Sequence, residues 1–256
     1  MMASMGSAET QVVDIDAMPR GGPDASWLDR RLQTSCAEYL DRDDVDERIK
    51  RSVVRSLEWA GEVFKNHERF ALIALDEIAE VPDPRVLELG AGHGGLSYKL
   101  LEHHPTARVT VTDVDATSVL NIASGEIGSH PRAVVQVADA TEIDCPDRSF
   151  DLAVMALTFH HLSPAQAAAV IAEGTRVAEK LLVIDLPRPS PLLHIARLAT
   201  MLPFALVPFV HDGVISSLRS YSPSALRALA AYAGPGIEVE LRSARCGPQV
   251  FVAHRR

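Results

Sequence analysis

Apolar residues have helical spacing over the first eighty residues and form short continuous runs after Pro84. The first helical pattern, with steps of three and four, comprises Val45, Ile49, Val53, Leu57, Ala60 and Phe64. A second helix is predicted from Phe70 to Ala79, where the prolines of "VPDP" end it. We therefore expect a helical N-terminal cap over residues 27–80. A disordered leader over residues 1–26, without the basic and apolar regions of a secretory signal, is expected to precede it.

After Pro84 the chain alternates short apolar runs with helical segments. The runs that predict strands are "RVLELG", "RVTVTDVD", "AVVQVADA", "FDLAVMAL" and "KLLVIDL". Before the last of them, Ser163, Pro164 and Gln166 form the capping-box start of a helix. The tail "IEVELRSARCGPQVFVAHRR" predicts two more strands, paired as a hairpin around Gly247 and Pro248.

Strands that alternate with helices indicate a parallel sheet, because parallel neighbours need a crossover connection. The predicted fold class is α/β: a Rossmann-like, doubly wound, seven-stranded and mostly parallel sheet with a C-terminal antiparallel hairpin and a helical N-terminal cap. We expect the sheet domain to span residues 81–256. Ligands of such sheets bind at the carboxyl ends of the strands.

The stretch 191–210, "PLLHIARLATMLPFALVPFV", is mostly apolar. His194, Arg197, Pro203 and Pro208 argue against a membrane-spanning helix there. The preferred interpretation is a buried or cleft-covering helix, and a peripheral membrane contact is an alternative. We expect residues 190–221 to form an insertion that covers the substrate.

The composition is that of an ordinary soluble globular protein, with 47% hydrophobic and 23% charged residues in a chain of 256. A formal net charge of −9 repels polyanions, so a nucleic-acid partner is disfavoured. The cysteines Cys36, Cys145 and Cys246 are odd in number and form no CxxC pair, which predicts neither a disulfide framework nor a zinc site. We expect a cytoplasmic protein.

The glycines after the first predicted strand are the strongest chemical signal in the chain. Gly90, Gly92 and Gly95 satisfy GxGxxG, and Asp113 closes the second strand. This pattern makes a dinucleotide site, and hence an NAD(P)-dependent oxidoreductase, the first hypothesis to test. Glu88, two residues before the first glycine, argues against it because a negative charge there disfavours a pyrophosphate. A cationic or zwitterionic ligand would not meet this repulsion.

From Asp41 onward the chain resembles the class I S-adenosylmethionine-dependent methyltransferases, in which an acidic residue precedes GxGxG, here "ELGAGHG". In that family the carboxylate ending the second strand, here Asp113, holds the ribose of the cofactor. The segment "ADAT" resembles the adenine-contacting motif, and "FDLAVMALTFHHL" the motif beside the methionine part of the cofactor. The lead-in "DRDDVDERIKRSVVRSLEW" and "HDGVISSLRSYSPSALRAL" further resemble bacterial small-molecule methyltransferases, related to ubiquinone and menaquinone C-methyltransferases and natural-product tailoring enzymes.

The resemblance implies methyl transfer from S-adenosylmethionine to a small, fairly apolar acceptor such as a phenol, quinone or natural-product intermediate, with S-adenosylhomocysteine as product. The cofactor-binding residues that it implies are Glu88, Gly90, Ala91, Gly92, Asp113, Val114, Asp139, Ala140 and Ala156. A protein that binds S-adenosylmethionine without catalysis is the non-enzyme alternative. A small-molecule substrate and no nucleic acid are expected, and both a monomer and a homodimer stay open.

Three histidines are the catalytic candidates, since a general base is needed when the acceptor must lose a proton. His160 and His161 follow the fourth predicted strand, and His211 precedes Asp212. The alternative for "HHL" is that at least one histidine caps or packs against the next helix. Arg219 is expected to be an ordinary surface residue. No metal site is expected, because the adjacent side chains of "HH" should point in divergent directions.

Overall fold

A seven-stranded sheet forms the centre of the computed structural model, which describes residues 14–42, 44–204, 206–243 and 247–256. The strands are β1 (Arg85–Leu89), β2 (Arg108–Asp113), β3 (Ala133–Val137), β4 (Phe150–Ala156), β5 (Ala178–Asp185), β6 (Ile237–Ser243) and β7 (Gln249–Arg255). Their order across the sheet is β3-β2-β1-β4-β5-β7-β6. The first five strands are parallel, and β7 is antiparallel to both of its neighbours. The predicted doubly wound sheet with a terminal hairpin is confirmed; Cys246 lies outside the described residues.

The central strands are mostly apolar because both faces of the sheet are covered. In β1 every residue after Arg85 is buried, and β5 is buried over its last five residues. The edge strand β3 instead leaves Val134 and Val137 exposed. This difference explains why the central strands read as continuous apolar runs in the sequence.

Nine α-helices surround the sheet in the described part of the chain. They are α1 (Trp27–Arg31), α2 (Glu47–Val63), α3 (Asn66–Asp76), α4 (Gly95–His103), α5 (Ala116–Ala123), α6 (Pro164–Val177), α7 (Pro191–Met201), α8 (Pro208–Arg219) and α9 (Pro223–Ala233). The predicted capping box of α6 is confirmed: the Gln166 amide donates to Ser163 Oγ, and the Ser163 amide donates to Gln166 Oε1.

Two hydrophobic cores lie on opposite faces of the sheet. Val86 and Leu87 are adjacent in β1, yet they belong to different cores because successive strand side chains alternate between faces. Helices α6 and α9 cover the face of Leu87, and α3 and α4 cover the face of Val86. Phe70 and Ala74 of α3 are buried in the second core. Helix α3, which the sequence places in the N-terminal cap, is thus one of the helices that flank the sheet, and it begins four residues earlier than predicted.

The expectation of a disordered leader is wrong for residues 14–26, while residues 1–13 lie outside the described part. A 3₁₀ helix spans Ile15–Ala17, and Ile15 is buried in the core beside α6. Asp16 Oδ1 accepts hydrogen bonds from Ser163 Oγ at 3.0 Å and from the Ala165 amide at 2.9 Å. Sequence reasoning missed this segment because its order depends on a partner almost 150 residues away.

For the apolar stretch 191–210 the sequence favours a buried or cleft-covering helix, and burial is wrong for the described residues. In α7 only His194 is buried, whereas Leu192 and Leu193 are exposed. Leu202, Phe204 and Leu206 follow the helix and are exposed as well, Leu206 to 99%. Within the described residues, no helix combines the length and the hydropathy that crossing a membrane requires.

Candidate active site

The glycine loop between β1 and α4 has a backbone that favours glycine. Gly90 and Gly92 lie in the left-handed region, with φ of 67° and 58°. A Cβ on Gly90 would lie 2.8 Å from Thr158 Cγ2, so the segment after β4 and the loop approach closely there. A Cβ on Gly92 would meet no atom within 4 Å. Gly92 therefore borders open space at the carboxyl edge of the sheet.

Asp113 at the end of β2 fixes this loop. The Gly92 amide donates to Asp113 Oδ2 at 2.8 Å, and the Asp115 amide donates to Oδ1 at 2.9 Å. The Ala91 amide donates to the carbonyl oxygen of Thr112 at 2.9 Å. The loop and the end of β2 thus form one hydrogen-bonded unit, with the exposed side chain of Val114 beside it.

Asp139 and Ala140 follow β3 at the same edge. Asp139 Oδ1 accepts hydrogen bonds from the Thr141 amide at 2.8 Å and from Thr141 Oγ1 at 2.7 Å, which forms a side-chain turn. Ala140 is half-buried against the core, and Ala156 ends β4. The fold brings all of these predicted residues to one edge of the sheet, and their contact with a cofactor stays a prediction.

Glu88 is buried beneath α4 rather than pointing into the loop. Ser97 Oγ donates a hydrogen bond to Glu88 Oε2, and no lysine or arginine of the described chain forms an ion pair with it. Burial raises the pKa of Glu88 to about 7, although the hydrogen bond from Ser97 opposes the shift. The sequence argument against a pyrophosphate treated this group as fully charged, and the structure weakens that argument.

His160 lies on a 3₁₀ helix, Phe159–His161, directly after β4. Its side chain is 4% exposed, and His160 Nδ1 lies 2.8 Å from Asp185 Oδ1 at the end of β5. The His160 amide donates to Asp185 Oδ2 at 2.8 Å. Burial lowers the pKa of His160, but the negative charges of Asp185 and Glu38 and the hydrogen bond with Asp185 outweigh it and raise the pKa to about 9.

His161 and His211 each have a carboxylate partner and are more accessible. His161 Nδ1 lies 2.9 Å from Asp41 Oδ2, and the side chain is 26% exposed. His211 Nδ1 lies 2.9 Å from Asp212 Oδ1, and that side chain is 29% exposed. The neighbouring His–Asp pair of the sequence is thus in contact.

Sequence reasoning missed the segment 38–41, which joins the three histidines. Glu38 Oε1 lies 3.5 Å from His160 Nε2, the Tyr39 ring stacks on His211 at 4.0 Å between centroids, and Asp41 contacts His161. The segment carries no motif, and it lies about 120 residues from "HHL" in the sequence. Two carboxylates around an aromatic residue in "AEYLD" were the only signal.

Two other expectations are corrected at this place. Arg219 is a buried residue, not a surface one: it donates to the carbonyl oxygen of His161, and its guanidinium lies 3.7 Å from Asp41 Oδ2. The rings of His160 and His161 do not diverge, since their centroids lie 4.2 Å apart. Adjacent side chains are about 120° apart in a 3₁₀ turn, whereas they point to opposite faces in a strand, so the two rings can approach each other here. The reason for excluding a metal site therefore fails.

The comparisons with known proteins agree with this geometry. Residues 86–180, from β1 into β5, match a family model described as a methyltransferase domain. This match supports the resemblance to class I S-adenosylmethionine-dependent methyltransferases. S-adenosylmethionine is the cofactor of that family.

Individual relatives are similar to this methyltransferase domain only in part. A malonyl-[acyl-carrier protein] O-methyltransferase of Geobacter sulfurreducens is 36% identical over 100 residues, which are 39% of this chain and 36% of that protein. A Nostoc punctiforme protein assigned as an O-methyltransferase superposes with a TM-score of 0.56 at 19% identity, over 75% of this chain and 56% of its own. Magnesium protoporphyrin IX methyltransferase of Synechocystis, solved with S-adenosylhomocysteine, superposes with a TM-score of 0.54 at 15% identity. The superposition covers 85% of this chain and 91% of that protein. The two structures support the fold.

Proposed function

We propose that the protein transfers a methyl group from S-adenosylmethionine to a small, fairly apolar acceptor, such as a phenol, a quinone or a natural-product intermediate. The hydrogen bond between Gly92 and Asp113 carries this proposal. It holds a left-handed glycine beside open space, next to a carboxylate at the end of the second strand. A carboxylate in that position can accept hydrogen bonds from both hydroxyls of a ribose.

The residues at the edge fit the cofactor in size and in chemistry. Gly92 leaves room for a ligand at the backbone, which a larger residue would fill. Asp113 would hold the ribose, and Asp139 and Ala140 would border the adenine. When bound, S-adenosylmethionine supplies a methyl group activated by its sulfonium charge. The protein must then orient the acceptor, exclude water and, for a hydroxyl acceptor, take up a proton.

His161 and His211 are the best placed residues for the proton. Both side chains are partly exposed, and in each the Nδ1 atom contacts a carboxylate, so that Nε2 is directed away from that partner. His160 is enclosed by Glu38 and Asp185, and we assign it a positioning role instead. The apolar acceptor is supported by the stacked Tyr39 and His211 rings and by the apolar side chains of residues 190–221, which we propose cover the substrate.

A calorimetric titration with S-adenosylmethionine, S-adenosylhomocysteine and NADH in parallel tests the cofactor. We expect binding of the first two and none of NADH; binding of NADH alone would support the oxidoreductase alternative. Production of S-adenosylhomocysteine with a panel of phenols, quinols and malonyl thioesters then tests catalysis, the last because of the Geobacter relative. Tight cofactor binding without turnover on any acceptor would support the non-catalytic alternative.

A further inference from the structure

Three side chains beside the glycine loop have the donor set of a metal site. The ligand atoms of Glu38, His160 and His161 all lie within 4.8 Å of one another. We propose that these residues bind a divalent transition-metal ion of the Zn²⁺ type. With His161 Nε2 bound to the ion, His211 is the residue left to take up the proton of the acceptor. Two imidazoles and one carboxylate are a set that such ions take in proteins, with positions left for water or substrate.

Both histidines are oriented as metal ligands are. His160 Nδ1 contacts Asp185 Oδ1 at 2.8 Å, and His161 Nδ1 contacts Asp41 Oδ2 at 2.9 Å. Histidines that bind metals commonly give one ring nitrogen to a carboxylate, which fixes the ring and makes the other nitrogen a better ligand. Here the other nitrogens, the two Nε2 atoms, face Glu38. One carboxylate partner on each of two adjacent histidines is more than packing requires.

The three ligand groups form no hydrogen bond with one another. His160 Nε2 is fully buried and makes no hydrogen bond among the described residues. It lies 3.5 Å from Glu38 Oε1, and His161 Nε2 lies 3.9 Å from Glu38 Oε2. Two ligands at about 2.0–2.2 Å from one tetrahedral ion are separated by about 3.3–3.6 Å. A buried imidazole nitrogen without a partner is costly, and an ion between these atoms would remove the cost.

The charges around the cluster are balanced when His160 carries its proton. Glu38, Asp41 and Asp185 bring three carboxylates to the two imidazoles. The guanidinium of Arg219 lies 3.7 Å from Asp41, and Arg20 donates to the carbonyl oxygen of His160. These two guanidinium groups and the imidazolium of His160 face three anions, and a metal ion would bind in exchange for the His160 proton. Ser216 Oγ donates to Glu38 Oε1 at 2.6 Å, which holds the carboxylate in place.

The location of the cluster suggests which acceptor could bind at the open coordination position of the ion. His160 lies two residues after Thr158, whose Oγ1 donates to the carbonyl oxygen of Gly90 at 3.2 Å. The cluster is therefore next to the glycine loop, at the edge where the proposed function places methyl transfer. The role of the ion rests on the proposed function. An acceptor that binds the ion needs an oxygen donor, such as a phenol or an adjacent hydroxyl and carbonyl pair.

Titration with Co²⁺ tests the site without measuring activity. Untagged protein, stripped with a chelator and dialysed, is titrated with Co²⁺ while the visible absorption of bound Co²⁺ is followed. We expect one Co²⁺ per chain, displaced by Zn²⁺. His161→Asn and Glu38→Gln should abolish the signal, and Asp41→Asn should weaken binding about 10- to 100-fold. His161 is partly exposed, so its replacement leaves the core intact.

Two matched histidines serve as controls. His254 also faces a carboxylate, Glu238 at 3.6 Å, but lies on β7. His93 Nε2 lies 3.2 Å from His67 Nε2, a second histidine pair without a carboxylate. His254→Asn and His93→Asn should leave the titration unchanged. Absence of saturable Co²⁺ absorption, or the same absorption in His161→Asn, would overturn the metal site.

Calorimetry with S-adenosylhomocysteine on the same samples separates the two proposals. If the protein binds S-adenosylhomocysteine but does not bind Co²⁺, only the metal site is overturned. Glu38, His160 and His161 are then a buried ion-pair network. Binding of Co²⁺ without S-adenosylhomocysteine would support the metal site and contradict the proposed cofactor function.

Discussion

The Gly92 amide donates a 2.8 Å hydrogen bond to Asp113 Oδ2, although the two residues are 21 positions apart in the sequence. The bond joins the loop after β1 to the end of the neighbouring strand β2. Since Asp113 Oδ1 also accepts from the Asp115 amide, one carboxylate fixes two backbone segments.

Asp113→Ala should weaken binding of S-adenosylhomocysteine about 10- to 100-fold, or about 1–3 kcal/mol, because hydrogen bonds to the ribose and to the loop are lost together. Calorimetry measures the change. Asp151→Ala is the matched control, since Asp151 Oδ2 accepts a 2.7 Å hydrogen bond from the Arg85 amide at the opposite end of the sheet. Equal affinities of the two variants for S-adenosylhomocysteine would show that the ribose binds elsewhere.

Gly92→Ala separates backbone strain from loss of ligand space. Gly92 and Gly236 both have positive φ, 58° and 90°, and a Cβ on either meets nothing within 4 Å. Both alanine variants should therefore lose about 1 kcal/mol of unfolding free energy. Only Gly92→Ala should lower the affinity for S-adenosylhomocysteine, because only that Cβ enters the proposed cofactor space. Denaturant unfolding and calorimetry give the two quantities, and unchanged affinity in Gly92→Ala would contradict the assignment.

The buried Glu88 should make the unfolding free energy depend on pH. Its pKa is about 7 in the folded protein, against an ordinary value of 4.5. Between pH 4.5 and about pH 7 the folded state therefore holds a proton on Glu88 that the unfolded state has lost. The contribution of Glu88 to stability is therefore greatest below about pH 4.5 and decreases as the pH rises to about 7. The full change is on the order of 3 kcal/mol.

Glu88→Gln should remove this dependence, and urea unfolding at pH 5, 6, 7 and 8 measures it. The variant should gain stability relative to the unmodified protein as the pH rises. Glu80→Gln, at an exposed position, is the control and should leave the pH dependence as it was. A parallel pH profile in Glu88→Gln would show that the carboxyl is already ionised when folded.

Arg188→Lys should destabilise the contact that holds the N-terminal segment near the candidate site. Arg188 is buried, and its guanidinium donates to Asp29 Oδ1 at 2.9 Å and to backbone carbonyl oxygens of Asp29, Leu32, Leu218 and Ser220. Lysine cannot satisfy this set, so we expect a loss of roughly 2–4 kcal/mol in unfolding free energy. Arg197→Lys, exposed on α7, should change it by less than about 0.5 kcal/mol. Similar values for both variants would contradict this role.

The sequence by itself determined the sheet, the glycine loop and the position of Asp113 beside that loop. Each of these depends on local signals: continuous apolar runs for buried parallel strands, the Ser163 and Gln166 capping box for α6, and glycines where the backbone takes positive φ. The strands then bring their ends together through the regular geometry of a parallel sheet, so Gly92 and Asp113 become neighbours without further information.

Only the tertiary structure decided what surrounds the histidines. Glu38 and Asp41 reach His160 and His161 across about 120 residues, and Arg219 approaches from α8. No periodicity encodes these contacts, because they depend on how the segment 32–42, with its short 3₁₀ helix Tyr39–Asp41, packs at the sheet edge. The same reason explains the ordered Ile15 and the exposed Leu206: burial at the surface of a fold is set by distant partners, not by the hydropathy of the residue itself.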